Sequence, residues 1–507
     1  MATHNSASVD SQGLGSFFDE VARMLGEDNV SRTPIHGALE GFQGEKSYGD
    51  PFSTMGTHNP SGAVRPSAVE EVQEIMKLAN KYNVSLWTVS RGKNLGYAAN
   101  DIIEVNEEYG YAIVEPGVSF FDLYEEIQRR GLNLWPSVPA IGWGSVLGNT
   151  MDRGFGYTPN GEHSQSQCGM EVVLPNGELL RTGMGAMKDN KTFALYKGNK
   201  SIGMHITPAP EAYATLEVSV PKEADLVPLV GTLSDLMRRS IILNSPSIAN
   251  IFRIALTSKV PEVHAKLAQY MKPNSYVPYD ILEEIRAEHN WGFWKAYFSL
   301  YGSIEMLPAL IQTVQRAFST IPGVKIEWRE FPGSPGRTIT ATEIKEEEIP
   351  HSGIPTLAPL GIIDSRSEKG GAHVDFSPII PPSGRELYEW YLTAKQRTID
   401  AKFDFFADFH VYPRYVVGIE LIIYTLREEA RVFELCRNLL HDGAEQGYME
   451  YRTHVRYMDQ IAAKLNFNDF AHNKFVGRLK DLLDPNGVLS PGKSGIWNGG
   501  SRQYVVW

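Results

Sequence analysis

Three stretches of the 507-residue chain carry side chains whose types and spacing suit chemistry on a ligand. The first, TVSRGKNLGY, breaks an apolar run into a loop of Ser90, Arg91, Gly92, Lys93, Asn94, Leu95 and Gly96 and closes on Tyr97. Glycines let main chain approach a ligand closely, and successive N–H groups beside Lys or Arg make an anion cradle. The loop is neither a Walker loop nor a GxGxxG turn opening a helix, so taken alone it reads equally as a phosphate loop or a solvated turn. The second, PAIGWGSVLGNTMDRGFGYTPNGEH, sets Gly142, Gly144, Gly148, Gly154, Gly156 and Gly161 around Ser145 and Asn149. So many glycines cost conformational entropy, which a long cofactor lying against main chain explains and an ordinary surface loop does not. The third, GYMEYRTHVRYMDQ, places Glu450, Tyr451, Arg452, Thr453 and His454 in a row. In a regular strand Tyr451 and Arg452 point to opposite faces. In a bent segment both converge on one anionic oxygen; an amphipathic strand with a surface ion pair is the alternative.

Composition narrows what that ligand is. A net charge of −12 argues against a nucleic-acid or anionic-membrane surface as the main partner. Two cysteines, Cys168 and Cys436, make no disulfide framework and match no zinc spacing, and each reads as a small buried apolar residue. No metal site is expected. The polar start MATHNSASVDSQG has no apolar leader core, and no run is long and apolar enough to span a bilayer, so a cytoplasmic protein is expected.

The elements that must position these stretches follow from periodicity. SFFDEVARMLG reads as a helix with Ser16 and Asp19 in capping spacing, and PSAVEEVQEIMKLANKYN as another capped by Ser67 and Glu70. The second buries Val69, Val72, Ile75, Met76 and Ala79. VSLWTV reads as a short strand, YAIVEPGV as strand and turn, and SFFDLYEEIQRRG as a helix stopped by Gly131. GMEVVLPNGELLRTG is a hairpin around Asn176-Gly177. Near TPAPEAYATLEVSVP the texture changes. From there to residue 448, strands such as WKAYFSLYG, FFADFHVYP and VGIELIIYT alternate with helices such as LVPLVGTLSDLMRR and SGRELYEWYLTAKQRTIDA, the pattern of an α+β domain on an antiparallel sheet. The turn-rich tail reads as returning to the first domain.

These segments, in this order, resemble the vanillyl-alcohol oxidase family, flavoenzymes with an FAD domain of the p-cresol-methylhydroxylase type. The resemblance rests on SRGKNLGY, VEPGVSFFDL, GWGSVLGNTMDRGFGYTPNGEH, GMEVVLPNGELLRTGMGA, AFSTIPGVKI, GIPT, GAHVDFSPI, YRTHVRYMDQ and DPNGVLSPGKSGIW, and spans nearly the whole chain. It implies an α+β, two-lobed fold: an FAD-binding domain over 1–208, completed by 449–507, and a cap domain over 209–448 with an antiparallel sheet and flanking helices. It implies that the Ser90–Gly96 loop cradles the FAD pyrophosphate. Gly144, Ser145, Gly148 and Asn149, with Tyr157, Gly161 and His163, would line the cofactor, and Lys493 would lie near its ring end. In the family a para-substituted phenol binds as phenolate, held by residues that fall here on Tyr97, Tyr451 and Arg452. Hydride then leaves the benzylic carbon for the flavin, a quinone methide adds water or loses a proton, and molecular oxygen reoxidises the flavin. A homodimer or higher homo-oligomer is implied as well.

Three departures bear on this reading. Ala140 stands where the family has an acidic residue beside the flavin, with Ser137 three before it. Val417 and Gly418 stand where paired histidines, one carrying covalent FAD, would fall; His410 is near in sequence. The chain is also short after Tyr97 and after Asn190, so a sheet strand and flavin-contacting main chain are expected to be missing. Either the segment ANDIIEVN and its connections rearrange to close the sheet, or the FAD lobe is partly open; both losses fall on the flavin, so weak FAD affinity and substoichiometric flavin are expected. The leading expectation is an FAD-dependent oxidase of para-substituted phenols of the vanillyl-alcohol and 4-alkylphenol type. The alternatives are a flavin-poor, non-catalytic relative and a flavin dehydrogenase that passes electrons to a partner protein.

Overall fold

The computed structural model describes residues 11–32, 61–88, 101–187, 202–332, 343, 345, 348–366 and 371–499. Its larger sheet forms because apolar residues alternate or run unbroken along nine segments between residues 212 and 450. Among the described residues the order across it is Lys325–Pro332, Ala212–Val220, Trp294–Gly302, Ser247–Asn250, Phe406–Val411, Val416–Thr425, Pro378–Ile380 and Met449–Glu450, with Gly371–Phe376 also paired to Val416–Thr425. Every pairing is antiparallel.

Helices Leu226–Arg238, Leu307–Phe318, Gly384–Asp400 and Glu429–Glu445 contribute to one large core with this sheet, which includes Trp294, Phe298, Trp390, Tyr391 and Phe409. Each fully buried side chain of this kind contributes about 1.5–3 kcal/mol. The sheet therefore makes a stiff base for whatever its edge carries. That edge is Met449–Glu450, the two residues directly before Tyr451.

A second sheet of five strands runs Ile102–Asn106, Tyr111–Val114, Ile202–His205, Gln167–Val173, Leu179–Arg181. The strand from ANDIIEVN pairs with Tyr111–Val114, and Ile202–His205 fills the place between that strand and Gln167–Val173. Both join with bulges, at Ile102/Glu104 and at Gln167/Met170, so the sheet is continuous but irregular. Residues 89–100 and 188–201, where the two shortened places fall, lie outside the described residues.

Local expectations are met in kind and corrected in detail. Ser119 caps the helix Phe120–Arg130 by accepting from the Asp122 N–H, and Gly131 stops it in the left-handed region at φ 64°. The first helix begins at Ser11, which puts Ser16 inside it instead of at its cap. In the helix Val69–Tyr82 the capping carboxylate is Glu71, not Glu70: it accepts from the Ser67 N–H at 2.6 Å and the Ala68 N–H at 3.1 Å. Leu78 joins Ile75, Met76 and Ala79 as its buried residues, while Val69 and Val72 are half-buried. VSLWTV does not extend into a strand over its described residues. Leu86 makes a single parallel bridge to Leu489, giving to Val488 O and taking from Ser490 N at 2.6 Å each. The tail does pack on the first helices, through that bridge and through Asn486 donating to Asn80 Oδ1 at 2.9 Å.

One buried ion cluster pins the segment Ala358–Arg366 beneath the sheet. Arg366 reaches Asp404 Oδ2 at 2.6 Å and Glu428 Oε1 at 3.4 Å, and donates to the carbonyls of Lys272 and Ser275 at 2.8 and 3.0 Å. All three side chains are 5% exposed or less. Arg366→Leu strands the buried Asp404 carboxylate, while Glu428 keeps Arg431 at 3.1 Å, and is expected to lower unfolding free energy by about 3–5 kcal/mol, read from urea titration. A loss below about 1 kcal/mol would show the cluster to be dispensable.

Candidate active site

The glycine-rich stretch folds as a short helix followed by a tight hairpin. Ser145 starts the helix Val146–Met151: its Oγ accepts from the Gly148 N–H at 2.9 Å and donates to Pro116 O at 2.7 Å. Main chain on either side of Ser145 pairs with Val118–Phe120, so Gly144 and Val146 are laced to the turn that opens the next helix. Gly144, Gly148 and Asn149 remain half-buried, presenting small side chains and main chain. Beyond Arg153 the chain doubles back, with Gly156 N–H donating to Gly161 O at 2.9 Å and His163 N–H to Gly154 O at 3.3 Å. This fold-back needs glycine. A Cβ on Gly154 would sit 2.0 Å from Asn149 Oδ1, on Gly156 2.3 Å from Ser137 Oγ, and on Gly161 2.6 Å from Gly156 O.

His163 is the buried centre of the hairpin. Its Nδ1 lies 2.6 Å from Asn149 Oδ1, an acceptor, so Nδ1 carries the proton. The ring stacks on Phe120 at 5.3 Å, and Nε2 is turned to the Ser137 backbone. Burial drives the imidazole down to about 4, so it is neutral at physiological pH.

The hairpin then docks on the large sheet. The Tyr157 carbonyl accepts from Asn244 Nδ2 at 2.8 Å and from the Tyr301 hydroxyl at 3.3 Å. Its ring stands between His351 at 5.2 Å and His410 at 5.5 Å, and Phe155 packs on His410 at 4.4 Å. His410 is fully buried, with Nε2 3.1 Å from Asp408 Oδ1. Burial pushes the Asp408 carboxyl up, but Arg253 at 2.6 Å, His410 and Ser247 outweigh it and hold the group well below the usual carboxylate range. Burial, with the charges of His410 and Arg253, drives His351 down to about 3. Glu162, raised by burial, accepts from the Tyr415 hydroxyl.

The C-terminal residues close the opposite side. Tyr451 N–H donates to Ser377 O at 3.2 Å, ending the short edge strand, and the chain then bends into Val455–Tyr457. The bend lets Arg452 fold back over the Tyr451 ring, its guanidinium carbon 5.4 Å from the ring centre. Tyr451 is half-buried and Arg452 exposed. Burial raises the Tyr451 hydroxyl, with Arg452 pulling it down and Asp375, Asp152 and Glu450 adding to the rise. Lys493 stands 3.9 Å from Asp152, at the end of the helix Val146–Met151.

Lys493 thus meets Asp152 at the end of the helix that holds Gly148 and Asn149, and Tyr451, with Arg452 over its ring, lies within electrostatic reach of Asp152 and Tyr157; Gly144, Ser145, Gly161 and His163 belong to the same folded segment as these two. Ser90, Arg91, Gly92, Lys93, Asn94, Leu95, Gly96 and Tyr97 lie outside the described residues. Sequence reading missed Asn244, Arg253 and His351. Asp408 and His410 share a strand face at i and i+2, which was the available sign of their pairing. Among the described residues no cluster of His, Cys, Asp or Glu suits a metal ion, and no helix is long and apolar enough to cross a membrane.

Comparison with known proteins agrees with this architecture. The FAD binding domain family matches residues 60–183. The 4-cresol dehydrogenase [hydroxylating] flavoprotein subunit of Pseudomonas putida is 32% identical over 476 residues, covering 87% of this chain and 88% of its own. The 1'-carboxy-chondrochloren decarboxylase of Chondromyces crocatus is 23% identical over 517 residues, covering 86% and 91%. Among solved structures, 4-ethylphenol oxidase from Gulosibacter chungangensis superposes with a TM-score of 0.82 at 27% identity, covering 98% of this chain and 99% of its own. Substrate-bound p-cresol methylhydroxylase does so with a TM-score of 0.82 at 28% identity, covering 97% and 98%.

The hairpin's need for glycine is testable against a glycine with room around it. Gly154→Ala displaces Asn149 from His163 and should cost about 1–3 kcal/mol of stability by thermal or urea unfolding. Gly231→Ala, in a helix interior with nothing within 4 Å of the new methyl, should stabilise by about 0.5–1 kcal/mol. Equal effects at the two positions would remove the packing argument.

Proposed function

We propose that this chain, which belongs to the vanillyl-alcohol oxidase and p-cresol methylhydroxylase family of FAD-dependent oxidoreductases, oxidises para-substituted phenols at the benzylic carbon. The observation that supports the reading is the bend after Glu450, at which the Arg452 guanidinium carbon lies 5.4 Å from the centre of the Tyr451 ring. FAD is the cofactor, and the residues present suit it. Gly144 and Gly148 leave main chain accessible, Lys493 adds a cation on the same side, and the buried Ser137 Oγ has no partner among the described residues. When bound, FAD supplies the hydride acceptor.

The protein's own part is to hold the phenol oxygen and to manage protons. A permanent cation at Arg452 favours phenolate over phenol. Tyr451, its hydroxyl raised by burial, stays protonated and donates to that oxygen. Negative charge on the oxygen releases electron density through the ring to the para position, which promotes loss of hydride from the benzylic carbon attached there. Tyr97 would be a second hydroxyl donor. Ala140 offers no base, so Asp408, held ionised by Arg253, or Asp152, beside Lys493, is the carboxylate left to accept a proton. Vanillyl alcohol and 4-alkylphenols fit this requirement, and we take molecular oxygen as the electron acceptor. A protein acceptor is the alternative, since the relatives include both a dehydrogenase subunit and an oxidase. The division into an FAD domain over 1–208 with 449–507 and a cap over 209–448, and a homodimeric or larger assembly, belong to the same proposal.

A para-alkylphenol should reduce the flavin anaerobically, whereas its O-methyl ether should not. Arg452→Ala should slow reduction by on the order of 10²–10³-fold. Equal reduction by phenol and ether, or an unchanged Arg452→Ala rate, would reject the site. Reoxidation by air alone would settle the acceptor as oxygen.

Val417 is buried in the sheet opposite His410, and neither it nor Gly418 carries a nucleophile. FAD is therefore expected to be non-covalent, and acid precipitation should leave a colourless pellet under a yellow supernatant. Flavin retained by the pellet would point to another attachment residue.

A further inference from the structure

Behind Tyr451, on the sheet side, lie carboxyl groups that the proposed reaction does not use. Glu420, 2% exposed, projects from the strand Val416–Thr425. Its Oε1 accepts from Trp390 Nε1 at 2.5 Å, and its Oε2 has no partner among the described residues. Glu450 sits on the edge strand with Oε1 3.3 Å from the Ser377 N–H. The same Ser377 accepts from the Tyr451 N–H through its carbonyl, so one residue ties the Glu450 carboxyl to the Tyr451 main chain. The groups facing this spot are Asp375 from Gly371–Phe376, Cys436 from the helix Glu429–Glu445, Thr453, Tyr457, and Tyr451 with Arg452. None of the described cations pairs with Asp375, Glu420 or Glu450, in contrast to Asp408 on the same sheet.

The register, Phe376 opposite Glu420 and Pro378 opposite Glu450 along one continuous run, sets both carboxyls on one face of the sheet; we propose that they form a carboxyl pair that retains a proton at neutral pH, and that Glu450 is a positioning residue whose ionisation sets the affinity of the Tyr451–Arg452 step for an anionic oxygen. The coupling to that oxygen rests on the phenolate reading above; the proton-holding pair stands apart from it. Two neighbouring carboxylates that no described cation pairs with cannot both ionise without mutual repulsion. Burial pushes Glu420 up to about 8, against the Trp390 bond and with Glu450 adding to the rise. Burial likewise pushes Glu450 up to about 7, against Thr453 and Ser377, with Asp375 adding. With protons on, the base of the step is neutral and Arg452 acts on the bound oxygen alone. With protons off, a negative charge beside Tyr451 opposes the anion and competes for Arg452.

The sign for stability follows. A carboxyl raised in the folded state stabilises at pH below its unfolded value near 4.5, and that contribution is lost as pH climbs through its folded value. Wild-type melting temperature should therefore fall between pH 5 and pH 9 relative to that of Glu420→Gln, which keeps an acceptor for Trp390 and cannot ionise.

The deciding experiment uses the FAD-loaded enzyme. Infrared difference spectra across a pH step should show a protonated-carboxyl band persisting at pH 6, diminished in Glu420→Gln and in Glu450→Gln. Binding of 4-hydroxybenzaldehyde, followed by the flavin absorbance, should be equal in wild type and Glu450→Gln at pH 6. By pH 9 the variant should bind on the order of tenfold tighter, a comparison at each pH that cancels the ligand's own ionisation. Glu450→Ala should bind weakly at every pH. No persistent carboxyl band overturns the pair whether or not a phenol binds. A band with a pH-independent affinity ratio overturns the positioning role. Phenol binding absent from all forms, with the band present, rejects the phenolate reading and the coupling while leaving the carboxyl pair standing.

Discussion

The site depends on how one amide side chain is used. Asn244 donates through Nδ2 to the Tyr157 carbonyl at 2.8 Å, and the same nitrogen lies 3.0 Å from His351 Nδ1. Its Oδ1 accepts from the Ser299 N–H at 3.2 Å. Asn244 is 1% exposed, so all of this happens without water to replace a lost partner. These bonds join the glycine hairpin to the sheet on which Asp408, His410 and the Tyr451 strand are placed. If the amide were absent, the Tyr157 carbonyl would keep only the longer bond from Tyr301, and His351 would lose its neighbour. The separation between the hairpin and the C-terminal bend is thus set by a polar seam, with apolar packing filling in around it.

The large sheet carries two carboxylate sites of opposite character. Asp408 is buried and ionised because Arg253, Ser247 and His410 converge on it. Glu420, buried, and Glu450, half-buried, are pushed toward their neutral forms by desolvation, and no described cation pairs with either to offset it. The sheet offers both groups similar burial, so the partner decides the charge. Asp408 and Glu420, differing by one methylene, are thus driven in opposite directions on adjacent strands. Arg366 repeats the first solution beneath the sheet, where Asp404, raised by burial to about 6, would stand higher without it.

Local order was legible where it depends on near neighbours. Ser119 and Gly131 bound their helix as expected, and Asn176-Gly177 turns its hairpin with Gly177 at φ 85°. The long strands and helices between residues 212 and 448 follow their apolar periodicity. What depends on distant partners was not legible. VSLWTV has strand composition, yet over its described residues it has one bridge to Leu489, because no further strand among the described residues lies alongside it. Glu70 and Glu71 are equally good caps on paper, and the backbone angle at Ala68 selects Glu71. A chain two segments short does not say how its remaining strands meet, and the described ones pair through irregular register at Ile102/Glu104 and Gln167/Met170.

By itself the sequence determined the type of protein and the chemistry on offer: a glycine-rich cofactor segment, a Tyr451-Arg452 pair and an α+β chain of two textures. Those follow from residue type and short-range spacing, which the linear chain preserves. Only the tertiary structure decided which of these residues meet and in what charge state. Asn244 reaches Tyr157 across 87 positions, and Arg253 reaches Asp408 across 155. Burial and partnership are properties of a site formed by segments far apart in the chain. Asp408 and Glu420 read alike as acids on neighbouring strands until their surroundings are known, because the energy of a charge depends on what encloses it.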